Sequence, residues 1–307
     1  MKVVVVGLGV QGYKRRKHAG PDCIATVDPI NNEATYRDLR DVPLNDYDAV
    51  LACIPDEPKV DLLRYCLENK KHILVEKPLW AIEDNEIVEL EKLAKKNKVV
   101  CYTAYNHRFE PHYIRMRDLI ASGALGKIYS CRMFYGNGTA RLVRDSNWRD
   151  KGAGVLPDLG SHLLDTCRFW FGQELDCFSL GSYHRFENLA PDHVVIESEK
   201  TLPRINLEMT LCMWCNHFTC DILAEKGTAH IESLCKWGPT TFTHRKRILP
   251  SGRPQEYTET LVQEDPTWEA EYIFFKKLVD SSTPTDLSTD LWLQKNLRRI
   301  GGKIIQK

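Results

Sequence analysis

The first hundred residues alternate short apolar runs with longer amphipathic stretches. The apolar runs are Val3–Gly7, Cys23–Val27, Ala49–Ile54, His72–Val75 and Val99–Tyr102. Between them, Pro58–Asn69 and Ile82–Lys96 carry apolar residues three and four apart, the spacing of a helix with one buried face. Asp84 fits as the cap of the second helix, and a start one or two residues earlier fits equally well. Strands that are apolar on both sides, alternating with helices, form a parallel sheet covered on both faces. Residues 1–121 are therefore expected to form a doubly wound α/β domain.

Beyond about residue 120 the pattern changes. Ile128–Tyr135, Leu175–Tyr183, Val194–Ser198, Ile205–Trp214, Phe218–Leu223 and Thr228–Ile231 are strand-like, several with alternating polarity. Alternation of period two predicts an antiparallel sheet with one covered face. A helix from Asp158 to about Phe171 interrupts the strands and stops at Gly172, which suits a C-terminal cap. A last helix over Asp286–Ile305 holds Leu287, Leu291 and Leu297 roughly in phase. Residues 122–307 are thus expected to form an α+β domain on a large, mainly antiparallel open sheet. The border falls near Ser122 and Gly123, and the last helix is free to pack back on the first domain. Apolar surface on an open sheet would favour self-association, as a homodimer or homotetramer.

Composition narrows the class. Of 307 residues, 43% are hydrophobic and 27% charged, as in ordinary globular proteins. Basic and acidic residues balance at 42 each, so no basic field points to nucleic acid or an anionic membrane. No apolar run approaches the roughly 20 residues that span a bilayer. The first strand begins at once with Lys2-Val3-Val4-Val5-Val6-Gly7, which leaves no room for a signal peptide, and a cytoplasmic location is expected. The eleven cysteines are odd in number and irregularly spaced, and Cys53 and Cys101 fall inside apolar runs. Core thiols in a reducing compartment account for them better than a disulfide framework. Cys212, Cys215, His217 and Cys220 resemble metal ligands locally. Ile205–Leu223 reads, however, as two strands, on which residues three apart face opposite ways. No second paired set completes a tetrahedron, so no metal is expected.

Gly7-Leu8-Gly9-Val10-Gln11-Gly12 is a complete G-x-G-x-x-G directly after the first strand and before a helical stretch. Gly7 permits the tight turn, Gly9 lets the backbone approach a pyrophosphate, and Gly12 lets helix and strand pack closely. The helix N-terminus favours the phosphate charge. The second strand ends at Asp28, 21 residues after Gly7, where a carboxylate can bind an adenosine ribose. That carboxylate repels a 2′-phosphate, and Pro29 follows it rather than an arginine, so NAD is expected over NADP. The run Lys14-Arg15-Arg16-Lys17 offers an alternative partner for a 2′-phosphate, but reads more simply as a solvated helix face.

His72-Ile73-Leu74-Val75-Glu76-Lys77-Pro78-Leu79 ends a strand with Glu-Lys-Pro. Asn106-His107-Arg108-Phe109, Gly123-Ala124-Leu125-Gly126-Lys127-Ile128, Asn147-Trp148-Arg149 and Gly154-Val155-Leu156-Pro157-Asp158-Leu159-Gly160-Ser161-His162 follow in order. Together these motifs resemble the glucose–fructose oxidoreductase / inositol dehydrogenase / rhizopine catabolism (Gfo/Idh/MocA) family, closely over residues 1–175. The resemblance implies a Rossmann domain that binds the cofactor through Gly7, Gly9, Val10, Gln11, Gly12, Asp28, Ile54, Pro55, Glu76 and Lys77. It implies that Lys77 contacts the reacting oxygen beside the nicotinamide, and that Asp158 and His162 meet the substrate, the histidine as acid or base. Arg108, Trp148 and Arg149 are further candidates for the substrate pocket. The chain departs from the family where a triple glycine is common and Gly152-Ala153-Gly154-Val155 stands instead, which leaves the local backbone path open.

Oxidising an alcohol removes a hydride and a proton, and a base with a pKa near the working pH suits the proton. His162 meets that requirement unshifted. Lys77 would donate a hydrogen bond to the oxygen, or act as the base if desolvation lowers its pKa. The implied activity is hydride transfer between nicotinamide and a carbon of a sugar, sugar derivative or cyclitol. A reductase of another carbonyl or imine, and a non-catalytic dinucleotide-binding redox sensor, are the rival readings.

Overall fold

In a computed structural model of the chain, residues 1–146, 149–172, 175, 177–198 and 202–306 are described. The chain divides into two compact units, Met1–Asn106 with Thr267–Gln294, and His107–Pro266 with Lys295–Lys307. This division differs from a single border at Ser122. The helix ending at Ala121 belongs to the second unit, and a late segment of chain returns to the first.

The first unit begins β1 (Val3–Val6), α1 (Val10–Ala19), β2 (Cys23–Val27), β3 (Ala49–Ala52), α2 (Lys59–Glu68), β4 (His72–Glu76), α3 (Asp84–Asn97), β5 (Cys101–Ala104). Its strands run in the order β2-β1-β3-β4-β5, and all four pairings are parallel. Successive β1 residues serve different cores. Val4 and Val6 pack with Leu63, Leu67, Ile87 and Leu90 of α2 and α3, while Val3 and Val5 pack with Tyr272 and Phe275. Both faces are thus covered, which explains why the strands read as uninterrupted apolar runs. The cap of α3 is Glu83 rather than Asp84: its side chain and Glu86 form a reciprocal capping box.

The second unit adds α4 (Pro111–Ala121), β6 (Ile128–Gly136), α5 (Ala140–Arg144), α6 (Ser161–Phe171), β7 (Phe178–His184), β8 (His193–Ser198), β9 (Arg204–Thr210), β10 (His217–Ala224), β11 (Gly227–Glu232), β12 (Thr240–Lys246) and β13 (Gln255–Leu261). These strands form one eight-stranded sheet, β13-β12-β11-β10-β6-β9-β8-β7, in which only β6 and β9 pair in parallel among the described pairings. The mainly antiparallel open sheet is as expected. Strand β7 begins at Phe178 rather than Leu175, and β9 ends at Thr210, so Cys212 and Cys215 lie in a loop rather than on a strand. Strand geometry therefore does not argue against metal ligation there; among the described residues, no group of three or more His, Cys, Asp or Glu is placed to hold an ion. The outward residues of the central strands include Arg132, Asp221, Glu208 and Thr219 beside Leu223 and Phe134. This outward face therefore mixes charged and apolar side chains.

Two helices close the chain, α7 (Thr267–Asp280) and α8 (Ser288–Ile305). Within the first unit, Thr285 bridges the chain at β5: its hydroxyl accepts from the Cys101 amide at 2.9 Å and donates to the Val99 carbonyl at 3.0 Å. No helix among the described residues is long and apolar enough to cross a membrane.

Candidate active site

The glycine loop of the first unit lies where β1 ends and α1 begins. Gly7 has φ of +90°, and a Cβ there would stand 2.4 Å from the Cys53 carbonyl oxygen. A Cβ on Gly12 would stand 1.9 Å from the Gly7 carbonyl oxygen, so these two glycines are required by the protein's own packing. Gly9 differs, because a Cβ there meets no protein atom within 4 Å. It caps α1 without a side chain, and the first turn of that helix carries no acidic residue. The open side of Gly9 and the uncapped amides at Val10, Gln11 and Gly12 fit a phosphate group.

Asp28 organises the loop opposite. Its Oδ2 accepts the Leu8 amide at 2.7 Å, and its Oδ1 accepts those of Ile30 at 2.9 Å and Asn31 at 2.8 Å. Burial pushes this carboxyl up, but the amides of Asn31, Leu8 and Ile30 and the nearby Arg37 outweigh it and hold it below the usual carboxylate range. Arg37, which no sequence motif marks, stands beside Asp28. Its guanidinium is engaged with the Asn31 carbonyl at 2.9 Å, the Asn32 side chain at 2.7 Å and the Asp28 carbonyl at 3.3 Å.

Arg15 corrects the reading of the basic run as wholly solvated. It is 2% exposed and pairs with Glu76 at 2.7 Å and with Glu271 of α7 at 2.6 Å. Burial pulls its pKa down, but the two carboxylates more than offset this and hold the guanidinium charged. Glu76 is thereby committed to Arg15 rather than turned wholly toward a cofactor. Lys77, half-buried, follows Glu76 at the C-terminal end of β4, with Ile54 and Pro55 just past β3. A second lysine, which the sequence does not single out, supports this turn. Lys59 is 2% exposed, and its ammonium donates to Asp56 at 2.6 Å, the Pro78 carbonyl at 2.8 Å and the Glu76 carbonyl at 3.3 Å. Lys59 thus grips the backbone on both sides of Lys77.

In the second unit, Asp158 lies in a π-helical turn, Leu156–Gly160, that runs into α6 at Ser161. The wider turn replaces the regular helical start expected at Asp158; such turns often occur at functional positions. Gly152 and Gly154 both have positive φ, and a Cβ on Gly154 would stand 2.0 Å from the Pro191 carbonyl oxygen. These two residues therefore define the path that replaces the family's triple glycine. Arg149 stands 3.4 Å from Asp158. Trp148 and Asn147 lie outside the described residues.

His162 is buried and stacked on His107, with ring centroids 4.0 Å apart and planes 18° apart. The Tyr135 ring lies 5.6 Å from His107 and 6.2 Å from His162. Arg108 belongs elsewhere: its Nε donates to the Asp165 carboxylate at 2.9 Å, and its Nη2 donates to the other oxygen of the same group. Burial pushes Asp165 up and Arg108 partly restores it. This geometry supports a structural clamp rather than a substrate contact. Arg108→Ala is expected to destabilise the protein by about 2 kcal/mol, below the figure for a fully buried pair because the arginine is 26% exposed. Urea denaturation checks this, and an unchanged midpoint would refute the clamp.

Residues 1–105 match the family described as oxidoreductases with an NAD-binding Rossmann fold, and residues 113–230 match the C-terminal domain of the same family. Among relatives, scyllo-inositol 2-dehydrogenase (NAD(+)) of Bacillus subtilis is 26% identical over 58% of this chain and 56% of its own length. Inositol 2-dehydrogenase of Mycolicibacterium smegmatis is 24% identical over 75% of this chain and 64% of its own. The chain thus matches less than two thirds of either relative. The fold is similar to levoglucosan dehydrogenase in complex with NADH and L-sorbose, with a TM-score of 0.81, 18% identity, and coverage of 99% of this chain and 97% of that one. An NAD binding oxidoreductase from Klebsiella pneumoniae has a TM-score of 0.77 at 17% identity, with coverage of 99% and 96%. The chain belongs to the Gfo/Idh/MocA family of oxidoreductases, and its first unit is that family's NAD-binding Rossmann domain.

Proposed function

We propose that this protein is an NAD-dependent dehydrogenase or reductase acting at a CH–OH carbon of a sugar, sugar derivative or cyclitol. What supports the reading is that each unit carries candidate acid–base residues besides the nucleotide loop of the first. In the first unit Lys77 follows β4, two strands from β1 in one sheet, and in the second His162 is buried against a second imidazole one turn after Asp158. A sensor would need only the loop. The inositol dehydrogenases among the relatives support a polyol substrate.

Gly7, Gly9, Val10, Gln11, Gly12 and Asp28 would hold the dinucleotide, with Ile54 and Pro55 beside it. When bound, NAD supplies the acceptor or donor of the hydride. Lys77 donates a hydrogen bond to the reacting oxygen and stabilises the charge that develops there. His162 takes the hydroxyl proton during oxidation and returns it during reduction. Asp158 binds a substrate hydroxyl, with Arg149 limiting its movement. A cytoplasmic location agrees with this chemistry.

The test is a titration with NADH and NADPH, followed by energy transfer from the tryptophans. Asp28→Ala is expected to weaken NADH binding roughly 10- to 100-fold, the worth of a charge-assisted hydrogen bond together with some loss of loop order. A screen of polyols and keto-sugars then follows turnover. NADPH binding more tightly, with little effect of Asp28→Ala, would refute the NAD assignment. Tight NADH binding with no turnover of any polyol or carbonyl compound would favour the sensor.

A further inference from the structure

One lysine of the second unit belongs to no recognised motif and lies against the paired imidazoles. Lys236 occupies the short turn Cys235–Trp237 after β11. Its ammonium stands 3.0 Å from His107 Nε2 and 3.2 Å from the Tyr135 hydroxyl, and lies 4.7 Å from the centre of the Trp237 ring. Burial pulls Lys236 down to about 8, against the opposing pull of Glu110, Asp265 and Asp158. It therefore carries its proton at neutral pH. An ammonium only donates, so His107 Nε2 must accept, and the His107 ring is then neutral with its hydrogen on Nδ1.

We propose that Lys236 is a positioning residue which, through His107, holds the His162 imidazole in one orientation and in its neutral, proton-accepting form. A cation 3.0 Å from one of two stacked rings makes a further positive charge on either costly in a partly desolvated setting. Other charged and titratable groups stand on the surrounding elements, and three carboxylates among them act on Lys236. Asp165 is paired with Arg108, Asp158 stands by Arg149, and Glu110 accepts the Cys235 amide. Asp265 acts on Lys236 itself, while Tyr113 and Tyr135 present their rings to His107. The turn bearing Lys236 thus fixes His107, and His107 fixes the face on which His162 rests. The catalytic consequence depends on His162 being the acid–base group, but the charge coupling does not.

The experiment is an NMR pH titration of the histidine Cε1–H signals in the full chain, assigned with His107→Asn and His162→Asn. In Lys236→Met the His107 or His162 signal should titrate about one pH unit higher than in the unaltered protein, and Lys236→Arg should keep the original midpoint. In the unaltered protein the His107 signal should also inflect near pH 8, where Lys236 loses its proton, a readout that survives if the methionine variant fails to fold. With a turned-over substrate, the acid limb of kcat/KM should move up with the histidine midpoint, while KM for NADH stays unchanged. Unmoved histidine midpoints in a folded Lys236→Met, or no inflection near pH 8, would overturn the proposal. Shifted midpoints without any turnover would leave the coupling standing and count against the dehydrogenase reading.

Discussion

Gly12→Ala is expected to destabilise the protein by about 4–5 kcal/mol and abolish NADH binding, whereas Gly9→Ala should keep its stability within about 1 kcal/mol and lose binding alone. The two glycines belong to one motif but answer to different neighbours. At Gly12 the new methyl meets the Gly7 carbonyl oxygen at 1.9 Å, and neither backbone can retreat without moving β1 or α1. At Gly9 the methyl meets no protein atom within 4 Å and the φ of −81° suits alanine, so it obstructs only a ligand. Thermal unfolding beside an NADH titration separates the two effects. A roughly 10- to 100-fold weaker affinity in a stable Gly9→Ala would place the pyrophosphate against that residue. Normal affinity there would mean that the cofactor lies elsewhere.

Arg15→Met is expected to cost about 3–5 kcal/mol, among the largest effects of any single side chain in the first unit. The methionine preserves most of the packing on Trp268, whose ring centre lies 4.4 Å from the guanidinium carbon. It removes the guanidinium that pairs with Glu271, which is fully buried, and with Glu76, 13% exposed. A buried carboxylate in that position is pushed up, so the folded variant binds protons more readily than the unfolded chain. Its stability therefore falls as pH rises, and the deficit should be largest near pH 7 and shrink toward pH 5. Adding Glu271→Leu and Glu76→Gln should recover most of the loss, because removing a whole buried ion cluster is far less costly than breaking it. A single variant within 1 kcal/mol of the parent at pH 7 would show that the cluster contributes little.

The parts of this fold that were legible in the sequence are those in which local pattern and tertiary setting agree. The buried strands β1 to β5 appeared as apolar runs because both faces of their sheet are covered. The glycine loop was readable because Gly7 and Gly12 stand where no side chain fits. What escaped notice was polar and distant. Lys59 and Arg15 look like surface residues, since nothing local tells a lysine near a helix start that its head will bind two strand-end carbonyls. Glu271 lies 256 positions beyond Arg15, so their pairing leaves no trace in either segment. Strands β12 and β13, with Thr241, Thr243, Thr258 and Thr260 facing one another in pairs, are too polar to show an apolar rhythm. Lys236 did leave a faint mark, as a lone charge within Leu234-Cys235-Lys236-Trp237.

The order in which the ribosome makes this chain sets a problem that the finished protein conceals. The first unit lacks its last pieces, Thr267–Gln294, until the 160 residues of His107–Pro266 have been synthesised. At typical elongation rates that interval lasts roughly ten to thirty seconds. Throughout it, Arg15 has no Glu271, the β1 face formed by Val3 and Val5 lacks Tyr272 and Phe275, and β5 waits for Thr285. The nascent nucleotide-binding unit must therefore persist with an apolar sheet face uncovered, a natural target for chaperones and an opening for aggregation when translation stalls.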